Sequence, residues 1–271
     1  MPTGTLPSYR DPPVIETVIG VEFAPIEGWS VPHFGLFWNQ VKDRFGSFEV
    51  HSPIASRIEV MDGPGQFPEQ RIQLEMMTTP EVRCWFVNGD GSELIQVQHD
   101  RLIFNWRKRD GAYPRYSDSV RPSFVSAWGE FKGFLHSQGL QPPRILQCEI
   151  TYVSHIPKGD GWEDVSEWSK VLKSIAPPPN GGILAEPESC NISASYLLPK
   201  RQGRLRIDAK LALRKSDAKE ILALNITSRG RPDSSELGDV LKWFDLGHEW
   251  VVQGFTEATT TTMHDLWGRE Q

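Results

Sequence analysis

The chain has 271 residues, 38% of them hydrophobic, and a formal net charge of -6; it can bury a large core, and its acidity disfavours non-specific capture of phosphate backbones, leaving only local basic patches for that role. Ten tryptophans and thirteen phenylalanines imply an aromatic interior whose indole N–H groups need partners. Three cysteines at long spacings, Cys84, Cys148 and Cys190, fit neither a disulfide framework nor a Cys-x-x-Cys metal pair. With no apolar signal core and no run near the ~20 apolar residues of a membrane span, the expectation is a cytoplasmic protein with reduced thiols and no membrane contact.

In chain order, Pro12-Pro13 blocks any helix before a strand at Val14–Phe23. A turn through Gly28 and Pro32 leads to Phe34, Phe37, Trp38, Val41 and Phe45, whose spacing predicts an amphipathic helix ending near Gly46. Short strands are then expected at 48–54, 71–76, 82–87, 94–98 and 102–107, punctuated by Gly63-Pro64-Gly65, Asn88-Gly89-Asp90-Gly91 and His99-Asp100. Phe124, Trp128, Phe131 and Leu135 predict a helix over 123–138, stopped at Gly139.

The order then repeats from Arg144. A strand at 145–156 and a turn at Lys158-Gly159-Asp160-Gly161 precede a helical stripe of Val165, Trp168, Val171, Leu172 and Ile175. After a loop-like Pro177-Pro178-Pro179-Asn180-Gly181-Gly182 run come strands at 189–197, 204–213 and 220–228. Leu237, Leu241, Phe244, His248, Val251 and Phe255 form the face of a last long helix. The expected fold is α+β: two related β-α-antiparallel meander-α halves, 1–141 and 142–271, their sheets covered on one face by helices. Their element order is that of TATA-binding-protein-like or helix-grip arrangements, an analogy of order only.

The hairpin at 94–107 carries most of the chemistry. Alternation sets Gln96 and Gln98 on one face of its first strand, and Arg101, Ile103, Asn105 and Arg107 on one face of its second. Amides and guanidinium groups in a stripe can read peptide, carboxylate or nucleic-acid patterns; alternatively they tie down the Tyr113-Pro114-Arg115-Tyr116 loop. On the strand at 145–156, Glu149 and His155 lie ~20 Å apart, too far to act as a pair. Glu149 is instead expected to partner Arg101 or Arg107 in a buried network. Glu16 either pairs with a basic residue or faces a cleft. His248, on an apolar helical face, reads as a hydrogen-bonded core residue; a functional reading makes it a general base beside a threonine. No histidine spacing suits a metal, and no phosphate loop or nucleophile elbow is present. Arg201, Arg204, Arg206, Lys210, Arg214 and Lys215 could contact nucleic acid, but their strand alternation reads better as a solvated face.

Pro12-Pro13-Val14-Ile15-Glu16, Phe37-Trp38, Gln98-x-Asp100-Arg101, Asn105-Trp106-Arg107, Tyr113-Pro114-x-Tyr116, Gln147-Cys148-Glu149, His248 and Trp267 together resemble a sporadically distributed family of uncharacterised bacterial proteins. The resemblance spans essentially the whole chain. It implies a full-length common fold and a list of unusual residues rather than a reaction, and the family's patchy distribution implies a role in a mobile-element or defence cassette. The expected function is non-enzymatic binding of a protein partner or a second copy, with no cofactor or metal. An enzyme using a polar site between the halves is the alternative, and nucleic-acid binding the third.

Overall fold

The computed structural model describes residues 5–61, 81–109, 111, 113–175, 183 and 186–271. Among these residues the fold is α+β, built on one antiparallel sheet of nine strands: β1 (Val14–Phe23), β2 (Ser47–His51), β3 (Arg83–Val87), β4 (Glu93–Gln98), β5 (Arg101–Arg107), β6 (Ile145–Pro157), β7 (Asn191–Leu197), β8 (Gly203–Leu213) and β9 (Glu220–Gly230). Their spatial order is β2-β3-β4-β5-β1-β6-β9-β8-β7. The expected pair of sheets is thus a single sheet. Its seam is β1 against β6, where Ile19 faces Ile150 and Val21 faces Cys148.

One face of the sheet is apolar and the other polar, and strand alternation explains both. On β6, Cys148, Ile150, Tyr152 and Ile156 point to the core while Gln147, Glu149, Thr151, Val153 and His155 point the other way. Helices α1 (Val31–Val41), α2 (Arg121–Ser137) and α3 (Leu237–Ala258) cover the apolar face. Phe37, Phe131 and Phe134 pack as a tilted and T-shaped aromatic cluster between α1 and α2. Gly247 and Gly254 let α3 lie close to the sheet: a Cβ at Gly254 would stand 2.6 Å from Leu205, and one at Gly247 3.0 Å from Ile150. None of the described helices is long and apolar enough to cross a membrane.

Three local expectations change. The helix expected at 165–175 is a short 3-10 segment, Val165–Lys170, because the following backbone pairs with the end of α3: Lys173 N–H donates to Ala258 O and Thr260 N–H to Val171 O. The strand expected at 48–54 leaves the ladder after His51; Pro53 has no N–H to donate to it. A short α4 (Thr261–Leu266), capped by Thr260, follows α3 where no helix was expected. The strand expected at 71–76 lies outside the described residues.

Candidate functional site

Among the described residues no helix packs on the polar face, which is called the uncovered face in that sense. At one end it is crossed by the chain itself. Residues 52–61 leave β2 and run as an extended strap whose contacts reach β4, β1, β6 and β8, many of them through the main chain. Ile54 N–H donates to Gln98 Oε1 (2.9 Å) and Gln98 Nε2 donates back to Ile54 O (3.1 Å). Gln147 repeats the pattern, accepting from Glu59 N–H at 2.8 Å and donating to Arg57 O at 3.1 Å. Each amide satisfies one donor and one acceptor of an extended backbone, as a neighbouring strand would. The strap's one buried carboxylate, Glu59, sits between Arg204 (3.0 Å) and Arg206 (2.7 Å). Arg204 also donates to Val60 O, and Ser56 Oγ donates to Glu22.

Arg101 lies beneath this strap. Its guanidinium is gripped by Asp100, with both contacts at 3.0 Å, and approaches Glu22, its cross-strand neighbour, at 3.5 Å. These charges keep the guanidinium above its ordinary pKa although burial alone would lower it. The expected Arg101–Glu149 and Arg107–Glu149 pairs do not form. Register explains why: Glu149 stands opposite Gly20 on β1 and opposite Arg229 on β9, and its carboxylate takes Arg229. Glu149 reaches Arg101 only through its longer-range field.

Beyond this band the face carries a directed chain of amides. Arg83 donates to Gln96 Oε1 (2.7 Å), Gln96 Nε2 to Asn105 Oδ1 (2.8 Å), and Asn105 Nδ2 to Glu16 Oε1 (2.7 Å). A cation at one end and a carboxylate at the other polarise every link in the same sense. Burial is the largest influence on Glu16 and raises its pKa, against the Asn105 bond and the charges of Arg107 and Arg109.

Glu16 and Arg107 open onto a cleft of about 560 Å³ at the far end of the same face. Its floor is apolar, with Val153, Ile221 and Ala223; around it stand Arg107, Lys108, Arg109, Lys210, Arg214 and Lys215. Lys108 approaches Asp11 at 3.4 Å, and Arg214 is paired with Asp217. Among the described residues Arg109, Lys210 and Lys215 have no ionic partner. Arg107 rests over the Trp85 ring at 5.8 Å, and burial, followed by the charge of Arg109, holds its pKa down. Two side-chain atoms of lining residues, His155 Nδ1 and Asn225 Oδ1, are closed off from solvent and have no hydrogen-bond partner among the described residues.

The remaining sequence candidates lie on the opposite, helix-covered side. Tyr113 packs edge-on to Trp106 (5.4 Å) and donates to Tyr152, whose hydroxyl lies 2.9 Å from His248 Nδ1. Tyr116 stacks on His248 at 4.0 Å and donates to Asp245, which Arg121 also holds. Burial pushes the Tyr113 phenol up to about 12 and His248 down to about 4, so these groups are neutral at pH 7. The partner of His248 is a tyrosine rather than a threonine. The polar hairpin residues do not hold the Tyr113–Tyr116 loop; Trp106, which faces the other way, does.

The twelve singled-out positions therefore divide. Gln98, Asp100 and Arg101 lie under the strap; Gln96, Asn105, Glu16 and Arg107 form the amide chain and the cleft's edge; Glu149 stands between; Trp106, Tyr113, Tyr116 and His248 brace the core. Sequence reasoning missed Glu59 and Gln147 as a ligand and its reader, and Tyr152 as the hub of the aromatic chain. The alternation of Arg204, Arg206, Asp208 and Lys210 was a usable signal for the polar face. Among the described residues no cluster of histidine, cysteine or carboxylate side chains is placed to hold a metal ion. No protein-family model matches the chain, and neither the curated proteins nor the solved structures contain a significant match.

Proposed function

We propose that this is a non-enzymatic interaction protein whose uncovered sheet face holds an extended polypeptide segment of a partner protein. The observation that carries the reading is the strap: this face already binds ten residues of extended chain through paired amide-to-backbone hydrogen bonds and a two-arginine clasp on one carboxylate. The chemistry is that of recognition, with donors and acceptors meeting a backbone. We place the protein in the cytoplasm, and in the sporadically distributed bacterial family that its motifs resemble, with a role in a mobile-element or defence cassette.

The two-half architecture, 1–141 and 142–271, belongs to the same proposal. Supporting it is the strand order on either side of the β1–β6 seam: in each half the first strand is central and the last strand of the following antiparallel run lies beside it. On that view an ancestral β-α-meander-α unit was duplicated, and the uncovered face runs across both copies.

Selection from a displayed random peptide library tests the function. Peptides recovered should bind reversibly and return chemically unchanged by mass spectrometry. Thr227→Trp, which plants an indole in the middle of the uncovered face where Thr227 now meets Thr151, should abolish binding. Lys132→Glu, at an exposed position of α2, should not. Peptides that are cleaved or modified, or binding indifferent to Thr227→Trp, would overturn the proposal.

A further inference from the structure

We propose that the basic cleft at the end of the uncovered face is a specific site for an acidic, extended peptide segment carrying apolar side chains between its carboxylates. This deepens the function proposed above and rests on it.

Charge is the first argument. A protein with a formal net charge of -6 gathers six cationic side chains around one cleft; among the described residues Glu16 is its one lining carboxylate, Lys108 and Arg214 meet Asp11 and Asp217, and Arg109, Lys210 and Lys215 have no ionic partner. Like charges held together and only partly neutralised raise the energy of the empty site, and an incoming anion relieves it. Nearby, the same sheet shows the neutralised version: Arg204 and Arg206, alternate residues of β8, close on the strap's Glu59. Lys210 continues that alternation along the strand into the cleft.

The lining and the strap decide which anion. The floor of Val153, Ile221 and Ala223 accommodates an apolar side chain, which a bare phosphate does not possess. The strap supplies the template, since it is read through its backbone and anchored by a carboxylate.

Fluorescence anisotropy with three labelled peptides of equal length tests this. One alternates Glu or Asp with Val or Ile, one carries Gln and Asn instead, and one carries Lys. A single-stranded oligonucleotide and inorganic pyrophosphate complete the panel. The acidic peptide should bind best, more weakly as salt rises, and the double variant Lys210→Glu, Lys215→Glu should weaken it roughly tenfold or more. Both lysines are exposed, so the variant keeps its thermal midpoint, and Lys132→Glu should leave binding unchanged. Equal binding of the neutral peptide, insensitive to the double reversal, would overturn the acidic specificity while leaving the polypeptide-binding function standing. Failure of every peptide would remove both. Tighter binding of oligonucleotide or pyrophosphate, lost on the double reversal, would reassign the cleft to phosphates; a change in sedimentation on the double reversal would reassign it to a second copy of the chain.

Discussion

The two ends of the uncovered sheet face are made by the same strands and are both rich in cations, yet they differ in how those cations are answered. Under the strap three guanidinium groups meet carboxylates: Arg101 has Asp100 and Glu22, and Arg204 and Arg206 share Glu59. In the cleft, six cationic groups stand around Glu16, and among the described residues only Lys108 and Arg214 pair with a further carboxylate, Asp11 and Asp217. One end is filled by the protein's own chain, and at the other Arg109, Lys210 and Lys215 have no ionic partner among the described residues. The difference teaches how one sheet face answers its cations where its own chain crosses it and where that strap does not reach.

Removing an answered charge should have the largest effect. Arg101→Met leaves Asp100 and Glu22 unpaired in a place where Arg101 is 6% exposed, and loss of one partner of such a buried set costs about 3–5 kcal/mol. Chemical denaturation should show that loss in full. An unchanged midpoint would break the comparison at its stable end.

A pH titration provides a reference from outside the uncovered face. His248 is held neutral by burial between Tyr116, Tyr152 and α3, with its pKa at about 4, and only Asp245 pulls the other way. Since the folded pKa lies below the unfolded value, the stabilisation is present above the unfolded pKa and is lost as pH falls through the folded one. The window thus runs from about pH 6.5 down to about 4, and the loss is at most about 3 kcal/mol. The fall in thermal midpoint between pH 7 and pH 5 should be smaller in His248→Asn than in the parent. Equal falls would move the acid sensitivity elsewhere, to His155 and His264, whose pKa values burial also lowers.

Glu59→Gln sharpens the comparison by turning the strapped end toward the state of the cleft. Arg204 would keep its bond to Val60 O but lose its carboxylate, at a cost of about 2 kcal/mol for hydrogen bonds to a charged group. Cleavage by a protease within residues 52–61 should quicken in parallel. A strap that stays protected would mean that Gln98 and Gln147 hold it without the clasp.

Much of this was legible in the residues and some was not, for physical reasons. β1 could be read because Pro12-Pro13 marks its start, and α3 because its apolar stripe persists over five turns. The polar character of the hairpin at 94–107 was readable by alternation, as was its division into two faces. The partner of Glu149 was not, because strand order decides it: β9 rather than β5 stands on that side of β6. The strap was invisible for a different reason. Ser52-Pro53-Ile54-Ala55-Ser56-Arg57 has no period, and its conformation is imposed by Gln98 and Gln147, which are distant in sequence. The 3-10 segment at Val165–Lys170 shows the same override, a helical stripe cut short by pairing with the end of α3.

The smallest effect is expected at the cleft, and its sign is the informative part. Neutralising Lys210 and Lys215 together, as Lys210→Gln with Lys215→Gln, removes no ion pair among the described residues and relieves repulsion with Arg107 and Arg109. The thermal midpoint should therefore hold or rise slightly at low ionic strength, and the difference from the parent should shrink as salt screens the repulsion. Arg204→Gln at the other end of β8 must do the reverse, because it strips Glu59 of its buried partner. If both substitutions lower stability alike, the cleft's cations are already engaged within the protein, and the contrast between a filled and an unfilled end fails.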